Sequence, residues 1–135
     1  MGQLFAAGWT WASGGIVATP DDANTFVRAY VRGASTSPAL HRAPFDFRTG
    51  GSEPTGPGRN SAGLAIFRYQ TGYGTVYGHT GNTAGYTQFV AASGNGRRSM
   101  VVSVNSQITP TAHSDRFTEL RQIFDLAVAA ALASD

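Results

Sequence analysis

Between residues 63 and 105, runs rich in β-branched and aromatic residues are broken at short intervals by glycine, which commits this stretch to an antiparallel sheet. Residues 63–69, 75–81, 86–92 and 98–105 read as strands. Gly72-Tyr73-Gly74 and Gly94-Asn95-Gly96 supply hairpin turns. Val102 and Val104 alternate with Ser103 and Asn105, as in a strand with two different faces. A helix precedes the sheet: Thr19 caps it, Pro20 suits its first position, Asp21 and Asp22 complement its dipole, and Gly33 ends it. Ala23, Phe26, Val27, Tyr30 and Val31 give that helix one apolar side. A second helix over about 112–133 aligns Phe117, Leu120, Phe124, Ala127 and Ala131, with Ile123 and Val128 widening the stripe. The expected fold is α+β, an antiparallel β-sheet packed by a C-terminal helix plus an N-terminal helix.

The length of 135 residues suits one small domain, 1–135, and a hydrophobic share of 41% argues against wholesale disorder. All ten basic residues are arginines, scattered except for the Arg97-Arg98 pair, and the formal charge is +2. Nucleic-acid binding would need a denser stripe. With no cysteine, disulfides, thiol catalysis and cysteine-based metal sites are excluded. Met1-Gly2-Gln3-Leu4-Phe5 does not read as a signal peptide, and no apolar run approaches the roughly 20 residues of a membrane span. The sequence assigns no compartment. Residues 34–60 hold Pro38, Pro44, Pro54 and Pro57 with Gly50, Gly51, Gly56 and Gly58, and predict one long loop, either a surface cover or a functional segment.

Chemistry concentrates on the second strand. Alternation places Thr75, Tyr77, His79 and Gly81 on one face, and Val76, Gly78 and Thr80 on the other. Glycines so near one histidine are poor strand formers, which suggests that another backbone or a ligand approaches closely. A plain bend with a half-exposed His79 accounts for them equally well. Asp21 and Asp22 read as capping charges, His41 and His113 as structural or solvated, and Arg97 and Arg98 as solvating a hairpin turn.

As a whole, residues 63–107 resemble the C-terminal sheet of the serine β-lactamase family, in the branch with D-alanyl-D-alanine carboxypeptidases, class C β-lactamases and related esterases. The residues that carry the likeness are Tyr77-Gly78-His79-Thr80-Gly81, Gly85-Tyr86 and Val101-Val102-Ser103-Val104-Asn105. Upstream, the run from Trp9-Thr10-Trp11 to Pro20-Asp21-Asp22 is similar to the family's lead into a helix beside the pocket. The resemblance implies an incomplete β-lactamase/transpeptidase-like fold. It gives His79 a part in the proton-transfer network, and Thr80 a hydroxyl for the substrate carboxylate. Gly81 would keep the strand edge clear, and Asn82 would lend its backbone N–H to the oxyanion hole. Arg68 is a further candidate for a terminal carboxylate, or else a surface arginine; Trp9 would line the pocket, or else anchor the core. The implied substrate is an acyl donor such as a D-Ala-D-Ala peptide, a β-lactam or an ester, lying along the edge as an added strand. No cofactor and no metal is implied, and family members are often exported.

Two departures qualify this. The family's Ser-x-x-Lys nucleophile is absent, because the sequence has no lysine, and so is its Tyr-x-Asn element. The chain is therefore expected to be a C-terminal portion of a serine hydrolase, inactive alone and completed by an N-terminal fragment or by a self-dimer. The strand at 98–105 would otherwise present an apolar edge. The alternative is a non-catalytic module that binds peptidoglycan peptides or dimerises.

Overall fold

The computed structural model describes residues 14–34 and 37–133. Six strands form one antiparallel meander in chain order: β1 (Arg48–Thr49), β2 (Arg59–Ala62), β3 (Phe67–Thr71), β4 (Gly74–Thr83), β5 (Tyr86–Ser93) and β6 (Ser99–Val104). Helix α1 (Pro20–Arg32) covers one face of the sheet and α3 (Ser114–Ala133) the other, while the short α2 (Pro38–Arg42) belongs to the connection from α1 to β1. The expected α+β layering is what the chain adopts.

Helix α1 begins where its sequence signals place it. Thr19 and Asp22 form a reciprocal capping box, and Gly33 closes the helix at φ 72°, where glycine carries no steric penalty. Hydrogen bonds from Thr19 hold the Asp22 carboxyl below its usual range. The buried stripe is narrower than its apolar pattern, since Val27 and Val31 are buried while Phe26 is 66% exposed. Ile123 on α3 is likewise half exposed, and does not widen the core stripe formed by Leu120, Phe124 and Val128. The main core lies under α3. Phe89 sits between Tyr69 and Phe124, with ring centroids at 5.2 and 4.9 Å. Full burial of side chains of this size contributes roughly 2–3 kcal/mol each, so this column is a principal anchor of α3 on the sheet.

The stretch 34–60 is not one loop. It contains α2, the 3-10 turn Ala43–Phe45, β1 and the start of β2. Strand β2 reads Arg-Asn-Ser-Ala and carries no apolar alternation. Its stability comes from backbone pairing with β3 over Arg59↔Gln70 to Ala62↔Phe67, and from Arg59, which donates to the Gln70 side chain at 2.9 and 3.2 Å. Residues 63–66, expected within a strand, form the β2–β3 turn, closed by the Gly63 amide on the Ile66 carbonyl at 2.8 Å.

Candidate active site

The β4–β5 hairpin fixes which backbone groups face outward. Its register closes at Thr83↔Tyr86 around Ala84-Gly85, with Gly85 at φ 86°. In a two-residue hairpin the flanking pair exchanges hydrogen bonds, and bonded and non-bonded pairs then alternate along the ladder. Gly81↔Gln88 and His79↔Val90 thus belong to the bonded set. The amide and carbonyl groups of Thr80 and Asn82 point the other way, toward β3. Strand β3 has already ended, because its last pair with β4 is Phe67↔Gly78. Although β4 lies inside the sheet order, residues 79–83 outrun β3 and leave an edge that no strand pairs among the described residues.

His79 lies along that edge. Its Nδ1 meets the Thr80 carbonyl, and its ring stands edge-on to Phe67 at 4.9 Å between centroids. A carbonyl only accepts, so Nδ1 is the donor in this contact, and Nε2 lies on an exposed ring.

The two glycines flanking His79-Thr80 have different reasons for being glycine. A Cβ on Gly78 would stand 1.9 Å from the Val90 carbonyl oxygen, so Gly78 is required by close approach of β5. A Cβ on Gly81 would meet nothing within 4 Å. The packing among described residues therefore does not require glycine at position 81, which borders the open edge.

Thr80 is 2% exposed and belongs to the face covered by α3, opposite Tyr77. Its hydroxyl donates to the Pro54 carbonyl at 2.6 Å. This corrects the expectation that the hydroxyl faces a substrate carboxylate: alternation turns it inward, and residues 52–57 cover it. Asn82 separates into two functions. Its side chain is structural, with Nδ2 donating to the Ile108 carbonyl at 3.0 Å and Oδ1 accepting from Thr87 at 3.1 Å, while its amide faces the edge. Arg68 pairs with Tyr77 across the strands and so shares the α1 face. Its guanidinium lies 4.9 Å above the Phe47 ring and donates to Ser61 at 3.3 Å. Arg68 and Thr80 therefore do not converge on one ligand group. Trp9 lies outside the described residues.

Sequence reasoning missed the groups beneath Thr80. Ser52 donates to the Pro54 carbonyl at 3.1 Å, and Tyr69, fully buried, brings its hydroxyl beside Ser52 and Thr80. Burial pushes the Tyr69 phenol up to about 12, against the weaker opposing pull of the two neighbouring hydroxyls. Its position on β3 was the one available signal, because strand alternation places Tyr69 on the face of Phe67.

The Beta-lactamase family matches residues 2–124. The chain belongs to that family. No curated protein sequence matches it. Among solved structures, a D-stereospecific amidohydrolase from Streptomyces sp. is similar in fold, with a TM-score of 0.63 at 20% identity, over 82% of this chain and 31% of that protein. The chain thus spans about a third of the length of that relative. Family membership and shared fold agree with the expected β-lactamase-family resemblance and its α+β fold.

Proposed function

We propose that this chain supplies one wall of a serine-hydrolase acyl-transfer site, of the D-alanyl-D-alanine carboxypeptidase, β-lactamase or esterase type. The observation that carries the proposal is the outward amide of Asn82 on the part of β4 that outruns β3. An acyl donor laid along this edge as an extra strand brings its carbonyl oxygen to that amide. A preorganised oxyanion donor of this kind is worth about 3 kcal/mol of transition-state stabilisation. His79 Nε2 accepts a proton within the same edge, and Gly81 leaves room for the ligand backbone. The nucleophilic serine and its base come from another polypeptide segment, since this sequence holds no lysine for a Ser-x-x-Lys element.

A non-catalytic peptide-binding or dimerising module is the second reading. It is favoured by β6, which ends the sheet order and has no strand on its outer side among the described residues. Titration of the chain with N-acetyl-D-alanyl-D-alanine amide, followed by amide NMR, tests the edge itself. The Thr80 and Asn82 resonances are expected to shift together; resonances unmoved at saturating peptide would rule the edge out. A fluorescent penicillin that attached covalently to this chain alone would show that the nucleophile lies within it.

A further inference from the structure

At the end of β5 away from the β4–β5 hairpin, helix α1 meets the turn between β5 and β6 through two arginines. Arg28 Nε donates to the Gly96 carbonyl at 3.1 Å, and Arg32 Nη2 donates to the same oxygen at 2.6 Å. Gly96 is buried at φ 60°, and a Cβ there would stand 2.8 Å from the Arg28 carbonyl oxygen and from Arg32 Cγ. The turn therefore holds both side chains at close quarters. Neither arginine is needed to cap the helix, because the Gly33 and Ala34 amides donate to the Tyr30 and Ala29 carbonyls at 3.0 Å each. A guanidinium carries five N–H donors, yet these two share one neutral acceptor. The ion pair among the described residues is Arg48 with Asp46, elsewhere in the fold. Residues 23–45 and 54–114 hold no Asp or Glu, so neither the rest of α1 nor the turn supplies a carboxylate. Asp21 and Asp22 stand in the first turn of α1, where Thr19 engages Asp22.

We propose that the groove beside these arginines binds a phosphate group. The groove has a volume of about 210 Å³ and is lined by Thr25, Arg28, Ala29, Arg32 and Ala34. Pockets for drug-sized ligands run to roughly 300–1,000 Å³, so this one suits a single small oxyanion. Positions 25, 28, 29 and 32 share one side of the helix, which sets the Thr25 hydroxyl in line with the two guanidiniums. Thr25 is exposed, and its hydroxyl has no hydrogen bond among the described residues. The bonds to Gly96 occupy Arg28 Nε and Arg32 Nη2 and leave Arg28 Nη1 and Nη2 and Arg32 Nε and Nη1 for a ligand. A planar guanidinium fork matches phosphate oxygens with parallel, charge-assisted hydrogen bonds. Three donor groups side by side fit the three free oxygens of a phosphate better than the two of a carboxylate. Because the turn fixes the guanidiniums before any ligand arrives, little ordering is left to oppose binding. Arg97, next to Gly96 and exposed, adds positive charge. The groove lies on α1 and the β5–β6 turn, away from residues 79–83, so the phosphate site does not depend on the acyl-donor reading. The same chemistry is offered by free phosphate and by the headgroup of an anionic lipid.

The test titrates inorganic phosphate into the whole chain at constant ionic strength, held with sodium chloride, and follows amide and arginine Nε–H signals by NMR. The Thr25 amide and the Arg28 and Arg32 Nε–H signals are expected to shift together and to saturate. Acetate should bind about tenfold more weakly, having fewer oxygens and less charge to offer the same donors. Arg32→Gln and, separately, Thr25→Val should each weaken phosphate binding about tenfold, as befits the loss of a hydrogen bond to a charged group. Shifts that climb without saturating, or that acetate reproduces at equal concentration, overturn the site. A phosphate affinity unchanged in Arg32→Gln overturns it as well. Should Arg32→Gln fail to fold, Thr25→Val gives up no hydrogen bond of the fold, and an unchanged affinity there has the same consequence. Co-sedimentation with vesicles of phosphatidylglycerol and phosphatidylcholine, against phosphatidylcholine alone, separates the two sources. Binding to the anionic vesicles that phosphate competes away and Arg32→Gln abolishes assigns the groove to a lipid headgroup. Saturation by phosphate without vesicle binding assigns it to a soluble phosphate.

Discussion

The Thr80 hydroxyl donates to the Pro54 carbonyl at 2.6 Å, joining strand β4 to a segment 26 residues earlier. This bond explains how a proline- and glycine-rich stretch without apolar alternation keeps a fixed path across the sheet. Thr80→Val preserves shape and removes the donor. The variant should lose about 1 kcal/mol, the net worth of one buried hydrogen bond, since Ser52 still donates to the Pro54 carbonyl; urea denaturation measures it. Hydrogen exchange at Gly56, whose amide is bonded to Ser52 and Asn60 at 3.1 Å each, should quicken at the same time. A stability within a few tenths of a kcal/mol of the native chain would mean that the bond is incidental.

Gly78 and Gly81 make a matched pair of tests, three residues apart on one strand. Gly78→Ala forces a methyl group to within 1.9 Å of the Val90 carbonyl and should cost about 3 kcal/mol or more, because backbone rather than a movable side chain must give way. Gly81→Ala meets open space and should alter stability by less than about 1 kcal/mol. If the edge receives an acyl donor, Gly81→Ala should still weaken peptide binding about tenfold by crowding the added strand. Thermal melts and peptide titrations of the two variants separate the roles. A Gly78→Ala chain as stable as the native one contradicts the Gly78↔Ala91 pairing of β4 with β5.

Much of this architecture was legible in the sequence, and the unread part has a physical pattern. The helix caps at Thr19 and Gly33 and the turns at Gly72-Tyr73-Gly74 and Gly94-Asn95-Gly96 depend on neighbours a few residues apart, which a sequence displays directly. His79 and Gly81 were placed on one face by period-two alternation alone. Strands β1 and β2 stayed hidden because cross-strand partners stabilise them, and Arg59↔Gln70 is visible only once the register is known. The same holds for the hydroxyls of Ser52, Tyr69 and Thr80. They meet through the path of residues 52–58, which no local signal specifies.

Tyr69 gives the chain a defined alkaline limit. Its pKa is raised from 10.0 to about 12, so the folded form favours the protonated phenol more than the unfolded chain does. The sign follows from linkage: this contribution is fully present below pH 10 and is lost as pH rises through the folded value. The loss approaches about 2 kcal/mol near pH 12, since each tenfold change in proton affinity is worth about 1.4 kcal/mol. Urea midpoints for the native chain should therefore fall between pH 10 and 12 more steeply than those of Tyr69→Phe. Parallel curves would show that the phenol ionises equally well in both states.

Asn82 allows its side chain and its backbone to be tested apart. The carboxamide bridges the Ile108 carbonyl and the Thr87 hydroxyl, and Thr87 in turn receives the Ile108 amide at 2.9 Å, so the bend between β6 and α3 is fastened to the β4–β5 hairpin. Asn82→Ala removes this bridge and should cost about 1–2 kcal/mol, with faster hydrogen exchange at Ile108. The backbone amide stays, and its direction is set by the Gly81↔Gln88 and Thr83↔Tyr86 pairs on either side. Peptide binding along the edge should consequently persist within about twofold at temperatures where the variant is folded. Loss of binding in a folded Asn82→Ala chain would transfer the recognition role from the amide to the side chain, and the wall would then have no oxyanion donor of the kind proposed.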